Sequence, residues 1–262
     1  MMAGFLKPTD GTLEVLGFEP TQVTQLKSRV GVLPQDAMLP PGDTVGEFLV
    51  HMSRLQGIPR EKAETVARAV LEEIEGKDWW KVRCSALSHG MAKRVQLAQA
   101  LLGEPEVVLL DEPTSGLDPR SAYEVRQLIK SRKGRCTLVV SSHNLTELEE
   151  ICDAAAILDR GKLVAAGTIS ELTASSEEVH IKLGAGPVPL APLRELAMVK
   201  RVEWDDERRE LVVYFERGAT DAETVIGATL WVLLNNQARI SNVTKGRGLE
   251  QRVMDLTDDS DD

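Results

Sequence analysis

Two adjacent carboxylates close an unbroken apolar run in the segment VVLLDEPTSGLDP, which begins at Val107. Runs such as 107–110 are typical of strands buried on both faces of a parallel sheet. Asp111 and Glu112 follow at the strand end where parallel α/β sheets bind their ligands. There the first acid can hold Mg²⁺, directly or through water, and the second can orient or deprotonate an attacking water. A bare Asp-Glu pair could equally end a strand in a solvated turn, but the attached PTSGLDP favours a site.

A second segment, LSHGMAKRVQLAQALL, begins an amphipathic helix with Ser88 and Gly90 at its start. Backbone N–H groups at a helix N-terminus, together with the helix dipole, attract an anion such as a phosphate. The same residues are equally compatible with a helix that Ser88 simply caps, without any ligand. From this segment alone the two interpretations stay open.

Two further polar residues follow predicted strands at the same sheet edge. His143 follows the strand in VVSSHNL, where its ring could hydrogen-bond a phosphate oxygen or a water. Gln35 ends GVLPQ, where its amide could position a water or contact Mg²⁺. A lone histidine after a strand is more often structural, and a loop glutamine is usually solvated. Each of these two signals is therefore weak without the others.

In their order and spacing, these segments together resemble the nucleotide-binding subunit of an ATP-binding cassette (ABC) transporter over roughly residues 1–170. In that family the matching segments are the Q-loop at Gln35, the signature at 87–91, the Walker B strand VVLLDE, the D-loop SGLD at 115–118 and the switch histidine at His143. The resemblance implies a subunit that binds ATP with Mg²⁺ and hydrolyses it.

The resemblance also implies a role for each matching residue. Asp111 would organise Mg²⁺ together with Gln35. Glu112 would be the catalytic base, with His143 and Gln35 beside it in the reaction. In a dimer, four residues would contact the nucleotide that the partner subunit binds: Ser88, His89, Gly90 and Asp118. Asp118 would lie at the dimer seam.

The signature departs from the usual LSGGQ, because His89 replaces the first glycine and Met91 replaces the glutamine. A histidine costs backbone freedom there only if the position needs a positive φ, which glycine adopts most freely. Such variants resemble those of exporter-type subunits. We therefore expect the change to be tolerated.

The sequence contains no P-loop, the G-x-x-x-x-G-K-[ST] segment that cradles nucleotide phosphates. Its only Gly-Lys pairs, Gly76-Lys77 and Gly161-Lys162, are followed by Asp and Leu. The opening MMAGFLKPTDG resembles the end of the helix that a P-loop begins, so the loop is expected upstream of Met1. Either the start is placed too late, or the chain truly lacks the loop. The chain as written should bind ATP weakly and hydrolyse it negligibly.

Alternating elements predict an α/β domain over residues 1–174, an incomplete P-loop NTPase (ABC ATPase) domain with a helical signature subdomain. The predicted strands are 11–16, 29–33, 107–110 and a buried strand at 137–140, and the predicted helices are 60–76, 88–102, 123–132 and 145–151. A hairpin is predicted at 154–166, around the turn Asp159-Arg160-Gly161.

A change of pattern after residue 174 predicts a second domain over residues 175–262. Its order of strand, helix, two strands, helix and strand is the split βαβ pattern, which indicates a small α+β ferredoxin-like domain. The predicted elements are strands 179–183, 199–204, 211–215 and 239–243, helices 192–198 and 221–235, and a closing helix at 249–256. This domain either offers a dimer or regulatory surface or simply stabilises the first domain.

Composition narrows the function classes. The net charge of −10 over 262 residues argues against a nucleic-acid partner, and part of it lies in a predicted solvated tail at 258–262. The three cysteines form no CxxC pair, which disfavours zinc and a disulfide framework. No leader peptide is evident, and the longest apolar stretch, near 225–234, is too short to span a bilayer. A cytoplasmic protein is expected.

These features predict an ATP-hydrolysing subunit of an ABC transporter, of exporter type, that works as a dimer with a separate transmembrane permease. It would be peripheral on the inner face of the membrane, with the permease docked on about residues 36–60. One alternative is a non-hydrolysing regulatory partner that uses its signature to complete another subunit's ATP site. The other alternative is an ABC ATPase of DNA repair or translation. The transported substrate is selected by the permease and is not encoded here.

Overall fold

The computed structural model describes residues 1–173, 178–215, 222–246, 249 and 253. The chain forms two compact units, Met1–Glu147 and Leu148–Asp262. The predicted boundary between residues 174 and 175 falls in a stretch outside the described residues and stays a prediction.

A three-stranded parallel sheet organises the first unit. Its strands are β1 (Val30–Leu33), β2 (Val107–Asp111) and β3 (Thr137–Ser141), in that order. The register pairs Leu33 with Leu110 and Asp111 with Ser141, so the three carboxyl ends meet at one edge. The prediction that β3 is buried is wrong: it is bonded to β2 on one side only, and Val139 is exposed.

Helices carry the rest of the first unit. They are α1 (Val23–Leu26), α2 (Val45–Leu55), α3 (Arg60–Glu73), α4 (His89–Leu101), α5 (Pro119–Ser131) and α6 (Leu145–Ile151), which continues into the second unit. Helix α2 begins with a capping box, in which Thr44 and Glu47 exchange side-chain to backbone hydrogen bonds. Helices α2, α3 and α4 pack together, as expected for a helical signature subdomain.

The predicted strand at 11–16 is wrong. The segment makes a single bridge between Val15 and Phe18, whose backbones exchange both hydrogen bonds. Leu16 and Gly17 between them have φ values of 54° and 78°, which close a tight reversal. The alternating pattern therefore folds as a turn, with Val15 buried beside Leu26.

After the end of α6, the second unit contains the predicted hairpin and then an antiparallel α+β sheet. Its elements are β4 (Ala154–Asp159), β5 (Lys162–Thr168), α7 (Ile169–Thr173), β6 (Glu178–Leu183), α8 (Leu190–Arg194), β7 (Val199–Asp205), β8 (Glu210–Phe215), α9 (Ala222–Asn235) and β9 (Ile240–Lys245). The order β7-β8-β6-β9 with helices α8 and α9 is the predicted ferredoxin-like arrangement. The predicted closing helix, apart from residues 249 and 253, and the acidic tail lie outside the described residues.

Candidate functional site

Asp111 ends β2 with its carboxylate exposed at the sheet edge. The hydroxyl of Ser141, its register partner on β3, donates a hydrogen bond to Oδ1 of Asp111. Ser141 was missed by the sequence reasoning, although it lies inside the VVSSHNL segment that supplied His143. The contact fixes the orientation of the carboxylate and leaves its other oxygen free of any hydrogen bond from the described part of the chain.

Glu112 turns the backbone sharply at the end of β2. Its φ is 46°, a left-handed conformation that costs a residue with a Cβ about 1–2 kcal/mol. The strain is held by the backbone N–H of Glu112, which donates to the carbonyl of Ser141 at 3.0 Å. Such outliers cluster at functional sites, where the surrounding structure maintains them.

Glu112 and His143, which were predicted separately, are in direct contact. Oε1 of Glu112 accepts the backbone N–H of His143 at 2.9 Å and lies 2.9 Å from Nδ1 of its ring. This hydrogen bond, then the charge of Glu112, raises the pKa of His143 above its ordinary value, and the charge of Glu147 adds to the effect.

The two side chains of this pair differ in exposure. Glu112 is 16% exposed and His143 is 78% exposed. Within the described ranges, Oε2 of Glu112 is buried and has no hydrogen-bond partner. The pair thus combines a buried carboxylate oxygen, without a hydrogen-bond partner among the described residues, that can accept a proton, and an exposed imidazole that can carry one.

A buried lysine completes the charge distribution. Lys93 of α4 is only 6% exposed and interacts electrostatically with the carboxylates of Asp111, Glu112 and Asp36. Burial lowers its pKa, and the three carboxylates oppose that shift. The sequence reasoning missed Lys93, because a lysine on a helix is usually solvated and no residue type near it signals burial. The acidic edge is therefore partly neutralised from within the chain.

Ser88 is confirmed as the N-cap of α4, because its Oγ accepts the backbone N–H of Met91 at 3.3 Å. His89 is the first residue of the helix and is absent from the residues with positive φ, so the position does not require glycine. Ser88 and His89 are both exposed. The capped helix end is therefore open to solvent, and its predicted contact with a phosphate stays a prediction.

Gly90 packs against the start of α5. A Cβ added at Gly90 would lie 2.5 Å from Oγ of Ser121, closer than any real Cβ contact. Ser121 in turn donates a hydrogen bond to Oδ2 of Asp118 at 2.6 Å. Oδ1 of Asp118 caps α5 through the N–H groups of Arg120 and Ser121, and the Ser121 hydroxyl lowers the pKa of Asp118 most. The predicted residues Gly90 and Asp118 thus share one packed junction.

Gln35 lies two residues after β1, exposed at the same edge. Its side chain makes no hydrogen bond to a described residue, so its predicted roles stay predictions. The loop that holds it is anchored from α4, because Nε2 of Gln96 donates to the carbonyl of Ala37 at 2.8 Å. Gln96 is a third residue that the sequence reasoning missed.

The residues at this edge suit Mg²⁺ only together with a ligand. The described part of the chain holds no group of three or more His, Cys, Asp or Glu residues that could bind a metal ion. Mg²⁺ is commonly held by one or two carboxylates, waters and the phosphates of a substrate. The oriented, exposed carboxylate of Asp111 fits that pattern.

In the same described residues, every helix is too short or too polar to cross a membrane.

Comparison with known proteins identifies similar chains. The family model described as ABC transporter matches residues 1–115. The chain is 33% identical over 210 residues to the Nod factor export ATP-binding protein I of Paraburkholderia xenovorans, covering 79% of this chain and 69% of the relative. It is 29% identical over 236 residues to the linearmycin resistance ATP-binding protein LnrL of Bacillus subtilis, covering 88% and 75%.

A further relative, an uncharacterized ABC transporter ATP-binding protein of Synechocystis sp., is 37% identical over 189 residues. The match covers 71% of this chain but only 53% of that relative. A solved structure of an ATP binding subunit of an ABC transporter shares the fold, with a TM-score of 0.58 and 24% identity over 65% of this chain and 72% of that one. The structure of cbiO1 from Clostridium perfringens gives the same TM-score, at 23% identity over 65% and 71%.

Proposed function

Since this chain belongs to the ATP-binding proteins of ABC transporters, we propose that it powers such a transporter by binding and hydrolysing ATP. The observation that carries the proposal is the contact between Glu112 and His143 at the edge of a parallel sheet. Glu112 directly follows Asp111 there. That arrangement combines a carboxylate that can bind a cation, a carboxylate that can accept a proton and an imidazole that can donate one.

In the proposed reaction, Asp111, whose carboxylate is exposed, and Gln35 would hold Mg²⁺. Bound Mg²⁺ would neutralise charge on the phosphates of ATP. The buried Oε2 of Glu112 accepts the proton of the attacking water, while Oε1 stays bonded to His143. His143, whose pKa is raised, supports a proton on its exposed ring nitrogen, where it can bond a phosphate oxygen.

The same proposal makes two such subunits a dimer. Ser88, His89 and Gly90 at the open end of α4 would contact the ATP held by the partner subunit, and Asp118 would lie at the seam. The support is a capped, exposed helix N-terminus, whose dipole favours the negative charge of a phosphate. ATP binding would close the dimer and hydrolysis would reopen it.

The transport direction and the membrane partner are also proposals. Two relatives are named for Nod factor export and for linearmycin resistance, which supports the exporter type. A separate permease would dock on residues 36–60, where the apolar side chains of Met38 and Leu55 are exposed. The chain would then be peripheral, on the cytoplasmic face of the membrane.

One observation favours a second candidate: the 262 residues contain no P-loop. A subunit without that loop would not hydrolyse ATP itself. It would act as a regulatory partner, with Ser88 and Gly90 completing the ATP site of a different subunit. The two candidates share every residue described above and differ in whether this protein turns ATP over.

The test is to tag the C-terminus in the native cells, purify the protein from membranes and measure its mass, its partners and its ATPase activity. We expect an integral membrane protein to copurify. Glu112→Gln should lower hydrolysis roughly 100-fold or more while the same partner copurifies. A mass equal to 28.7 kDa plus that of the tag, without hydrolysis, would establish the regulatory candidate instead. Activity that survives Glu112→Gln, or no membrane partner, would overturn the proposal.

A further inference from the structure

A mostly buried polar cluster, which we call the Glu147 clamp, joins three segments of the first unit. The hydroxyl of Thr114 donates a hydrogen bond to Oε2 of Glu147. Nη1 of Arg126 donates to Oε1 of the same carboxylate at 2.8 Å. Both carboxylate oxygens are therefore engaged, and by donors that lie on different segments.

Two members of the clamp lie close in sequence to residues of the candidate site. Thr114 is two residues after Glu112, and Glu147 is four residues after His143. Glu147 is also fixed at the start of α6, because its backbone N–H donates to Oδ1 of Asn144 at 3.2 Å. The clamp thus connects the two loops whose side chains meet at Glu112 and His143.

Within the described part of the chain, few other hydrogen bonds hold the loop after Glu112. Within it, the backbone N–H groups of Ser115 and Leu117 bond only to the carbonyls of Glu112 and Thr114. Pro113 has no N–H to contribute. The hydroxyl of Thr114 is therefore the described side-chain link from this loop to α6.

We propose that Glu147 is a positioning residue: clamped between Thr114 and Arg126, it keeps the loop of Glu112 and the loop of His143 in register. The role in catalysis rests on the proposed function; the positioning itself does not. Removing one partner of a buried, hydrogen-bonded carboxylate is costly, so the clamp resists separation of the two loops. Arg126, on the helix that Asp118 caps, supplies the countercharge.

The sharpest test is Thr114→Val, which removes the hydroxyl but leaves the charges of Glu147 and Arg126 in place. The readout is NMR of the His143 ring in the purified full chain, where the four histidines are assigned by substitution. We expect Thr114→Val to lower the pKa of His143 by roughly half or more of the drop caused by Glu112→Gln. The backbone N–H of His143 donates a hydrogen bond to Glu112, so its hydrogen exchange should become faster in the same variant.

Thr114→Ser restores a hydroxyl and should restore both readouts. The matched control is Thr137→Val, the same chemical change at an exposed position of β3. If Thr114→Val only lowers the urea midpoint and leaves the pKa and exchange of His143 unchanged, the clamp is merely structural and the proposal is overturned.

These readouts need no turnover, so they are decided separately from the proposed function. In the membrane-purified protein, Thr114→Val should lower kcat roughly 10- to 100-fold with KM for ATP nearly unchanged. If the NMR readouts change in a protein that does not hydrolyse ATP, the positioning stands and the proposed activity fails.

Discussion

Oε1 of Glu112 lies 2.9 Å from the backbone nitrogen of His143 and 2.9 Å from Nδ1 of the same residue. One oxygen thus holds His143 by its main chain and by its ring, while the other oxygen is left for chemistry. The contact ties the end of β2 to the loop after β3, and its consequences are measurable without any nucleotide.

Lowering the pH should stabilise the first unit through His143, whose pKa is raised mainly by the hydrogen bond to Glu112. A raised folded-state pKa contributes stability that is complete below the unfolded pKa and is lost as pH rises through the folded pKa. His143→Gln should therefore lower the urea midpoint more at about pH 6 than at about pH 9.

The control for that experiment is Glu112→Gln. In its background, His143→Gln should have nearly the same effect at both pH values, because the carboxylate that raises the pKa is gone. An effect of His143→Gln that grows with pH in the wild type would contradict the assigned contact.

Glycine at position 112 should be more stable than alanine, because the φ of 46° is strained for a residue with a Cβ. Both variants lose the carboxylate, so their comparison isolates the backbone. We expect Glu112→Gly to exceed Glu112→Ala by about 1 kcal/mol in the free energy of unfolding. Glu104 is a matched control, since it is exposed with a φ of 56° and should show the same difference.

A stability order of alanine above glycine at position 112, with the expected order at 104, would mean that Glu112 is not left-handed in solution. The backbone turn that orients the carboxylate of Glu112 would then be assigned incorrectly.

Gly90→Ala should destabilise the first unit by about 1–3 kcal/mol, because the new methyl group would lie 2.5 Å from Oγ of Ser121. Alanine is otherwise the better helix residue, so the sign itself reports the collision. Gly227→Ala is the matched control: no atom lies within 4 Å of a Cβ there, and stability should rise by about 0.5–1 kcal/mol.

Ser121→Ala should recover part of the loss caused by Gly90→Ala, and a double-mutant cycle by urea unfolding measures the coupling. Strict additivity of the two substitutions would show that the helices do not approach this closely.

Lys93→Met should raise Tm by a few degrees at neutral pH. Burial lowers the pKa of Lys93, so the unfolded chain holds more protons between the folded-state value and the ordinary value of 10.5. Stability of the wild type therefore rises with pH across that window, and the advantage of methionine should shrink there. Exposed Lys62 on α3 is the control, and Lys62→Met should show no such dependence. A Tm that falls at pH 7 would mean that the three carboxylates outweigh burial.

Much of the candidate site followed from sequence because it lies at strand ends. The apolar run before Asp111 and the strand before His143 predicted that their carboxyl ends share an edge, and the register of β2 with β3 agrees. That register also places Ser141 opposite Asp111, but the pairing of particular residues between strands far apart in sequence was not encoded in either segment.

The remaining misses have physical causes. The residue types do not indicate the left-handed conformation of Leu16, so the alternating pattern predicts a strand where the chain forms a turn. The exposure of Val139 depends on what covers β3, which its own composition cannot report. Lys93 was overlooked because its burial is created by the packing of α4 rather than by its chemistry.

Helix α4 also has a mechanical meaning. Ser88 caps one end, and Gln96, eight positions along, holds the loop at Ala37. These two points are separated by about 12 Å of regular helix, which is stiff along its axis. Helix α4 therefore joins the loop at Ala37 to the capped end at Ser88 through one regular element, so that a displacement of that loop would be transmitted along the helix axis to the cap.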